Sequence, residues 1–197
     1  MNAPAPDPVA CAGVIVIAMS TAGIAHAWWM RCRWSAALRV PLDAGLTWRG
    51  RRLLGDHKTV RGLVMLPLAA GAAFALLGAM RDALPSWLAC GLWSWDAPAL
   101  FALGVWAGFC FMAGELPNSF YKRRRGIAPG AVPTTGGARW LCLALDRIDS
   151  TAAMLLGLTL VAPLPWQTAV LVALFGPVVH LAFSAALFAI GVKARLA

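Results

Sequence analysis

The stretch VACAGVIVIAMSTAGIAHAWWM, residues 9–30, contains no Asp, Glu, Lys or Arg, and His26 is its single histidine. About 20 consecutive apolar residues are enough to span the hydrocarbon core of a bilayer as an α-helix. No Lys or Arg precedes the stretch, so it lacks the basic start of a signal peptide. We therefore predict a transmembrane helix over residues 9–30.

Further apolar runs predict four more transmembrane helices, over residues 63–80, 98–116, 140–162 and 168–192. The composition agrees, because 60% of the 197 residues are hydrophobic and only 13% are charged. Soluble domains are about half apolar and a quarter charged. The sequence predicts an all-α integral membrane protein with five transmembrane helices in a single domain. It disfavours a soluble enzyme, a disordered protein and, with five scattered cysteines and no CxxC, a disulfide or zinc scaffold.

The charges predict how this protein is oriented. Lys and Arg total 17 against 8 acids, for a net charge of +9. Most of the basic residues fall in the predicted loops 31–62 and 117–139, and two more follow the last helix. The positive-inside rule then makes both loops cytoplasmic, with the N-terminus outside and the C-terminus in the cytoplasm. A functional site built from these loops would face the cytoplasm at the cell membrane. We expect these cations to interact with the lipid bilayer and with anionic substrates, and we expect no nucleic-acid partner. Most tryptophans, Trp93 among them, flank the apolar runs as in an interfacial belt.

The first loop contains PLDAGLTWRGRRLLGDHKTVRG, residues 41–62, in which glycines alternate with cations. Glycine lets backbone N–H groups approach an anion, and Lys, Thr and Arg donate to phosphate oxygens. For residues 58–62 we favour a specific phosphate site over a lipid-binding stretch. For Arg49, Arg51 and Arg52 the two interpretations are equally supported.

The second motif is GELPNSFYKRRR, residues 114–125. In a continuous helix Glu115, Ser119 and Lys122 would share one face, whereas Pro117 could instead begin a new helical segment. The last cations, Arg124 and Arg125, fit a topological stop signal. Glu115 could also be a solvated helix end.

The third motif is DRIDS, residues 146–150, which places Asp146 and Asp149 on one helix face. Acids are costly beside a membrane helix, and paired carboxylates suit Mg²⁺. We favour a metal site over a local salt bridge with Arg147, which does not face Asp146 on a helix. Residues 134–137 form a weaker candidate for an anion cradle, and His57 could donate to an anion. His26 and His180 are interpreted as packed residues.

Together the motifs indicate phosphoryl or nucleotidyl transfer to a lipid head group, supported by metal and cations. An ionised lipid phosphate needs no strong general base, and the sequence shows no obvious one. The chain resembles the CTP-dependent lipid cytidylyltransferases, and its 41–62 and 114–150 stretches are similar to the CDP-archaeol synthase branch. That branch is small, has five membrane helices and is related to CDP-diacylglycerol synthase.

The resemblance implies a reaction in which the phosphate of a phospholipid acid attacks the α-phosphorus of CTP. CDP-lipid forms, pyrophosphate leaves and Mg²⁺ is required. The lipid acid is an archaeal-type ether lipid phosphate or phosphatidic acid. A homodimer is a candidate assembly.

The resemblance also assigns roles to residues. The catalytic set is Lys122, Arg123, Asp146 and Asp149. The metal ligands are Glu115, which stands where the family usually has Asp, with Asp146 and Asp149. The residues around the CTP phosphates are Lys58, Thr59, Arg61, Gly62, Ser119, Lys122 and Arg123. Further family-matched positions are Asp43, Gly45, Arg49, Gly50, Arg52 and Gly55.

Three alternatives remain open at this point. A CTP-dependent polyprenol or lipid kinase would transfer the γ-phosphoryl group to a hydroxyl and would need a base. A non-catalytic scaffold or transporter would show no metal dependence. A degenerate relative would bind nucleotide without turnover.

Overall fold

Five long helices dominate the structure, a computed structural model that describes residues 5–128 and 137–189. The helices are α1 Pro8–Trp29, α2 Val60–Ala79, a short α3 Ser86–Ala89, α4 Ala97–Arg124, α5 Gly137–Val161 and α6 Trp166–Ala189. Two 3₁₀ helices cover Arg33–Leu38 and Arg81–Ala83, and the strands β1 Thr47–Trp48 and β2 Arg51–Arg52 pair antiparallel. The predominantly helical fold predicted from the sequence is confirmed, with one short hairpin in addition.

Three of the described helices are long and apolar enough to cross a membrane: α1, α2 and α4. The described parts of α5 and α6 contain shorter apolar stretches, Ile148–Val161 and Trp166–Val179. The chain is therefore an integral membrane protein. Residues 134–136 of the predicted cradle at 134–137, and the cations after the last helix, lie outside the described residues.

The predicted boundary of the second cytoplasmic loop needs correction. The sequence placed loop residues from 117 to 139, but α4 continues through Pro117 and ends at Arg124, and α5 begins at Gly137. Proline removes one backbone hydrogen bond and usually bends a helix without necessarily ending it. The extra two turns of α4 carry Ser119 and Lys122, so these residues belong to a helix and not to a loop.

Capping residues define where two of the helices begin. Asp7 accepts hydrogen bonds from the backbone N–H groups of Val9 and Ala10 at 3.1 and 2.9 Å, and Pro8 follows it at the first helical position. Asp96 likewise accepts from Ala99 N–H at 3.0 Å at the start of α4. Carboxylates at these positions satisfy N–H groups that have no partner within the helix and favour the positive end of the helix dipole.

Small residues allow α2 and α4 to pack closely. On α4 the glycines of a G-x-x-x-G pattern, Gly104 and Gly108, face α2. A Cβ at Gly104 would lie 2.5 Å from the carbonyl oxygen of Ala70, and one at Gly108 would lie 2.7 Å from Cα of Pro67. Small residues at this spacing let membrane helices approach each other. This close packing holds α4, which carries the second motif, against α2, which follows the first motif.

The two ends of the bundle differ in chemistry. At the N-terminal end of α1, Trp93 is fully buried against Phe74 and donates from Nε1 to the carbonyl oxygen of Pro163 at 3.1 Å. Trp93, predicted to flank a span in an interfacial belt, thus packs into the core at this end of the bundle and does not face lipid. The opposite end gathers the end of α1, residues 31–59, and the charged parts of α4 and α5. All three sequence motifs meet at that second end.

Candidate active site

Two aspartates of α5 share one hydrogen-bond donor on α4. The side-chain amide of Asn118 donates to Oδ1 of Asp146 at 2.6 Å and to Oδ2 of Asp149 at 2.8 Å. The i, i+3 spacing that predicted a common face for the two acids is thus realised, since oxygens of both carboxylates converge on one nitrogen. Two carboxylates this close together favour a positively charged group beside them.

Lys122 provides a positive charge beside this acid pair. Its ammonium pairs with the carboxylate of Asp146, and its side chain is only 12% exposed. Lys122 lies one helical turn beyond Asn118 on α4, so the unbroken helix presents both residues to α5. The structure brings together Lys122, Asp146 and Asp149 as the sequence predicted.

Glu115 connects the acid pair to the first loop. Its Oε2 pairs with the ammonium of Lys58, and its Oε1 accepts from the hydroxyl of Ser150 at 3.2 Å. The same hydroxyl lies 3.1 Å from Oδ1 of Asp149, so its single proton is shared between the two carboxylates. A continuous polar chain therefore joins Lys58 to the aspartates through Glu115 and Ser150.

A close approach of α4 and α5 makes these contacts possible. A Cβ at Gly114 would lie 2.5 Å from Cβ of Ala153 and 2.8 Å from the carbonyl oxygen of Asp149. Any larger residue would push the helices apart and lengthen the bonds from Asn118 to the aspartates.

Asn118 and Ser150 are two further residues of this polar chain to which the motifs assigned no role. Asn118 falls in the predicted loop 117–139, but it lies three residues after Glu115 and four before Lys122, so a continuous helix would place it on the same face as both. Ser150 follows Asp149 directly, and no sequence spacing indicates that it reaches Glu115.

In the first loop, Asp43 is the organising residue. Its side chain is almost fully buried and accepts from Arg52 through both oxygens, at 3.2 Å from Nε and 2.5 Å from Nη2. The backbone N–H groups of Gly45, Leu54 and Gly55 also donate to it. The Arg52 guanidinium and these N–H groups hold the pKa of the Asp43 carboxyl well below its usual range. The glycine N–H groups expected to approach a phosphate thus bind a carboxylate of the chain itself.

Gly50 is required by a tight turn. Arg49 and Gly50 both have positive φ, 51° and 73°, between β1 and β2. Two such residues form the type I′ turn that suits a two-residue hairpin, and glycine tolerates this conformation best. Arg49 stays exposed, with its guanidinium 5.3 Å from the ring centroid of Trp48.

Arg124 attaches the hairpin to the end of α4. Its guanidinium lies 5.6 Å from the Trp48 ring centroid and 5.2 Å from that of Phe120. Its Nη2 donates to the carbonyl oxygens of Arg51 and Arg52 at 2.9 and 2.7 Å. The cation interpreted from sequence as a stop signal therefore makes specific tertiary contacts.

Not all residues predicted to surround the CTP phosphates lie at the acid pair. Arg61 is buried in the first turn of α2, where Nη1 donates to Ser35 Oγ at 3.0 Å and to the carbonyl oxygen of Met30 at 3.4 Å. Gly62 packs against α4, since a Cβ there would lie 2.8 Å from Cε of Met112. Thr59 is buried directly before α2. These residues fix the loop to the bundle.

A basic pocket of about 490 Å³ lies between the first loop and the end of α4, lined in part by Arg51, Arg52 and Arg123. Arg123 is 6% exposed, and its Nε and Nη1 have no hydrogen-bond partner among the described residues. Ser119, one turn earlier, is also buried. Asp56 also lines this pocket and pairs with Arg52, so among the described lining residues it is Arg123 that offers buried, unpartnered donors to an anion there.

The acid pair has the chemistry of a magnesium site. Mg²⁺ prefers oxygen ligands and is often held by one or two carboxylates together with substrate phosphates. Asp146 and Asp149 supply two carboxylates that converge on one point. In the described part of the chain no three His, Cys, Asp or Glu side chains cluster to hold a metal by themselves. The residues present thus fit an ion completed by substrate oxygens.

Comparison with known proteins identifies the family. Residues 37–195 match the family described as CarS-like: CDP-archaeol synthase. The chain belongs to this family. It is 31% identical over 160 residues to CDP-archaeol synthase of Halorubrum lacusprofundi, covering 78% of this chain and 81% of the relative. It is 35% identical over 155 residues to that of Halobacterium salinarum, with the same coverage.

A solved structure agrees with this assignment. It is described as an intramembrane enzyme for archaeal membrane lipids biosynthesis, and the match has a TM-score of 0.56 and 26% identity over 88% of this chain and 90% of the other. Membership in the CDP-archaeol synthase family confirms the enzyme class predicted from the sequence, a CTP-dependent lipid cytidylyltransferase.

Proposed function

We propose that this family member transfers CMP from CTP to the phosphate of an ether-linked isoprenoid glycerol lipid, with Asp146 and Asp149 holding Mg²⁺. The names of its relatives support the ether lipid over phosphatidic acid. The geometry that carries the proposal is the convergence of the two carboxylates on Asn118, with Lys122 beside them.

The proposed mechanism assigns distinct tasks to the side chains. A magnesium ion at the acid pair would neutralise phosphate charge as pyrophosphate leaves. The ammonium of Lys122 would contribute a second positive charge beside the triphosphate, and Asn118 would fix the orientation of both carboxylates. The lipid phosphate attacks the α-phosphorus of CTP, the bond to the β-phosphate oxygen breaks, and pyrophosphate carries away the electron pair. Because the nucleophile is already an anion at pH 7, no side chain has to remove a proton.

The basic pocket supports a second part of the proposal. Arg123 is buried with two nitrogen atoms unpartnered in the described structure, and Arg51 and Arg52 line the same pocket. Guanidinium groups bind phosphate through several donors at once. We assign this pocket to the outer phosphates of CTP, and Arg123 as their main contact.

The proposed topology follows the sequence prediction. All five long helices would cross the cell membrane, with the N-terminus outside and the site facing the cytoplasm. At 25 residues α5 is about 37 Å long, enough to span a bilayer even with its first turns in the site. The candidate homodimer and the absence of nucleic acid among the partners stay predictions.

Product analysis tests the proposed function. Purified protein in detergent is incubated with CTP, Mg²⁺ and either a dialkyl glycerol phosphate or phosphatidic acid, and the products are identified by mass spectrometry. We expect CDP-lipid and pyrophosphate, formed faster from the ether lipid. Asp149→Asn should abolish turnover, whereas Asp82→Asn, an exposed acid at the opposite end, should not. CDP with a phosphorylated alcohol would establish the kinase alternative, and bound CTP without product would indicate a degenerate relative.

A further inference from the structure

A long apolar cavity reaches the active site from inside the bundle. It has a volume of about 450 Å³ and lies between α1, α2, α4, α5 and α6. On α1 it is lined by Ile15, Val16, Met19, Ser20, Gly23, His26, Ala27 and Met30. These residues recur every three or four positions, so they form one stripe along the helix. At 1.5 Å per residue the stripe is about 22 Å long, which is more than half the thickness of a bilayer core.

The cavity changes character along its length. Its far end is formed by apolar side chains, including Ile15 and Val172, whereas its near end contains His57, Lys58 and Glu115. The near end is the start of the polar chain that runs through Ser150 to the acid pair. A ligand that is apolar along most of its length would fit the far end, and an anionic group at its other end would lie beside Lys58 and His57.

His26 adds a polar group to the wall of this cavity. It lies near the C-terminal end of the α1 stripe, and its Nδ1 is buried without a hydrogen-bond partner in the described part of the structure. A buried polar nitrogen without a partner is costly, so a ligand group that satisfies it would be stabilised.

We propose that this cavity binds the acceptor lipid, with one hydrocarbon chain along the α1 stripe and the phosphate at Lys58 and His26. The proposal rests on the proposed function, since it names the acceptor site of the same reaction. It moves Lys58 from the CTP phosphates to the lipid phosphate. Glu115 then separates the two substrates: it pairs with Lys58 on the lipid side and reaches Asp149 through Ser150 on the metal side.

Filling the far end of the cavity tests the position of the chain. Val16 lines the cavity, whereas its neighbour Ile17 is 40% exposed on the outer surface. The two variants Val16→Trp and Ile17→Trp are compared with a long-chain acceptor, diphytanyl glycerol phosphate or dioleoyl phosphatidic acid, and with the dihexyl or dihexanoyl counterpart. We expect Val16→Trp to raise KM for the long-chain acid at least tenfold, and to leave KM for the short-chain acid and the affinity for CTP with Mg²⁺ unchanged. Ile17→Trp should change none of these values.

An equal effect of Val16→Trp on both chain lengths, or no effect on either, would overturn the proposal. A second measurement does not depend on the variants folding or on turnover. A lipid acid with a diazirine at the chain end is photolysed with the wild-type protein, and the labelled residues are mapped by mass spectrometry. Labels at residues 15–19 and around Val172 are expected, and labels confined to the outer face of α1 would contradict the site. If the wild type forms no CDP-lipid but the labels fall in the cavity, the proposed function fails while the lipid site stands.

Discussion

The side-chain amide of Asn118 donates to Oδ2 of Asp149 at 2.8 Å across the interface of α4 and α5. The same nitrogen donates to Asp146, so one neutral residue orients both carboxylates of the proposed metal site. Residues that orient metal ligands typically change metal affinity by about 10- to 100-fold when they are removed.

We expect Asn118→Ala to raise the Mg²⁺ concentration for half-maximal CDP-lipid formation by about tenfold or more. The reason is that Asp146 and Asp149 would lose their common orienting donor. Activity is measured across a magnesium titration at saturating CTP. Tyr121→Phe, on the exposed face of the same helix, serves as the control and should not shift the titration. An unchanged magnesium requirement in Asn118→Ala would contradict this role.

The pair Lys58–Glu115 should behave as one coupled unit. Lys58 is only 14% exposed, so removing one partner leaves a charge in a poorly solvated place. We expect Lys58→Met and Glu115→Gln each to lower the thermal midpoint in detergent. The double variant should lose less stability than the two single variants added together, and the difference, the coupling energy, should be about 0.5–3 kcal/mol. Strictly additive losses would show that the two side chains act independently.

Asp43 should make the stability of the first loop depend on pH. Its pKa is lowered in the folded protein, so the carboxylate stabilises the fold at pH values above the ordinary aspartate pKa near 4. That contribution is lost as the pH falls below this value toward the lowered pKa. Asp43→Asn should destabilise the protein at pH 7 by about 1–3 kcal/mol and should lose less additional stability on acidification than the wild type. Thermal unfolding in detergent at pH 7, 5 and 3.5 measures both effects.

Asp56→Asn provides the matched control, because Asp56 also pairs with Arg52, at 2.7 Å, but its side chain is 76% exposed. Exposed ion pairs contribute about 0–1 kcal/mol. If Asp56→Asn lowered stability as much as Asp43→Asn, burial would not explain the role of Asp43.

The sequence predicted the apolar parts of the long helices but not the contacts of the first loop. Helix α1 was predicted over residues 9–30 and observed over Pro8–Trp29, because an unbroken apolar run of that length has few alternatives. The same local patterns could not show that Asp43 binds Arg52 and three backbone N–H groups, since these contacts depend on how the loop folds back on itself. Pro117 shows a different limit. Its local preference was compatible with a helix start, yet α4 continues through it and packs against α5 on either side.

At the acid pair, too, spacing predicted which residues share a helix face but not which residues of different helices are in contact. The i, i+3 and i, i+7 spacings correctly placed Asp146 with Asp149 and Glu115 with Lys122 on common helix faces. The bond from Asn118 to the aspartates joins residues of different helices, which no periodicity within one helix can indicate. The interpretation of Arg61 had the same weakness, because its partner Ser35 lies in a separate 3₁₀ helix.

Arg124 offers a direct test of whether a basic residue here acts through charge alone or through shape. Its planar guanidinium lies against both the Trp48 and Phe120 rings, which stack on each other, and it reaches carbonyl oxygens of the hairpin. A lysine ammonium cannot reproduce these contacts. Arg124→Lys keeps the positive charge, so a stop signal would be preserved and hydrogen exchange would not change. We expect instead at least tenfold faster amide exchange across residues 47–52, measured by mass spectrometry in detergent. Arg125→Lys, at a guanidinium that stacks only on the exposed Tyr121 ring, is the control and should leave that exchange unchanged. Equal exchange in wild type and Arg124→Lys would show that charge alone accounts for this residue.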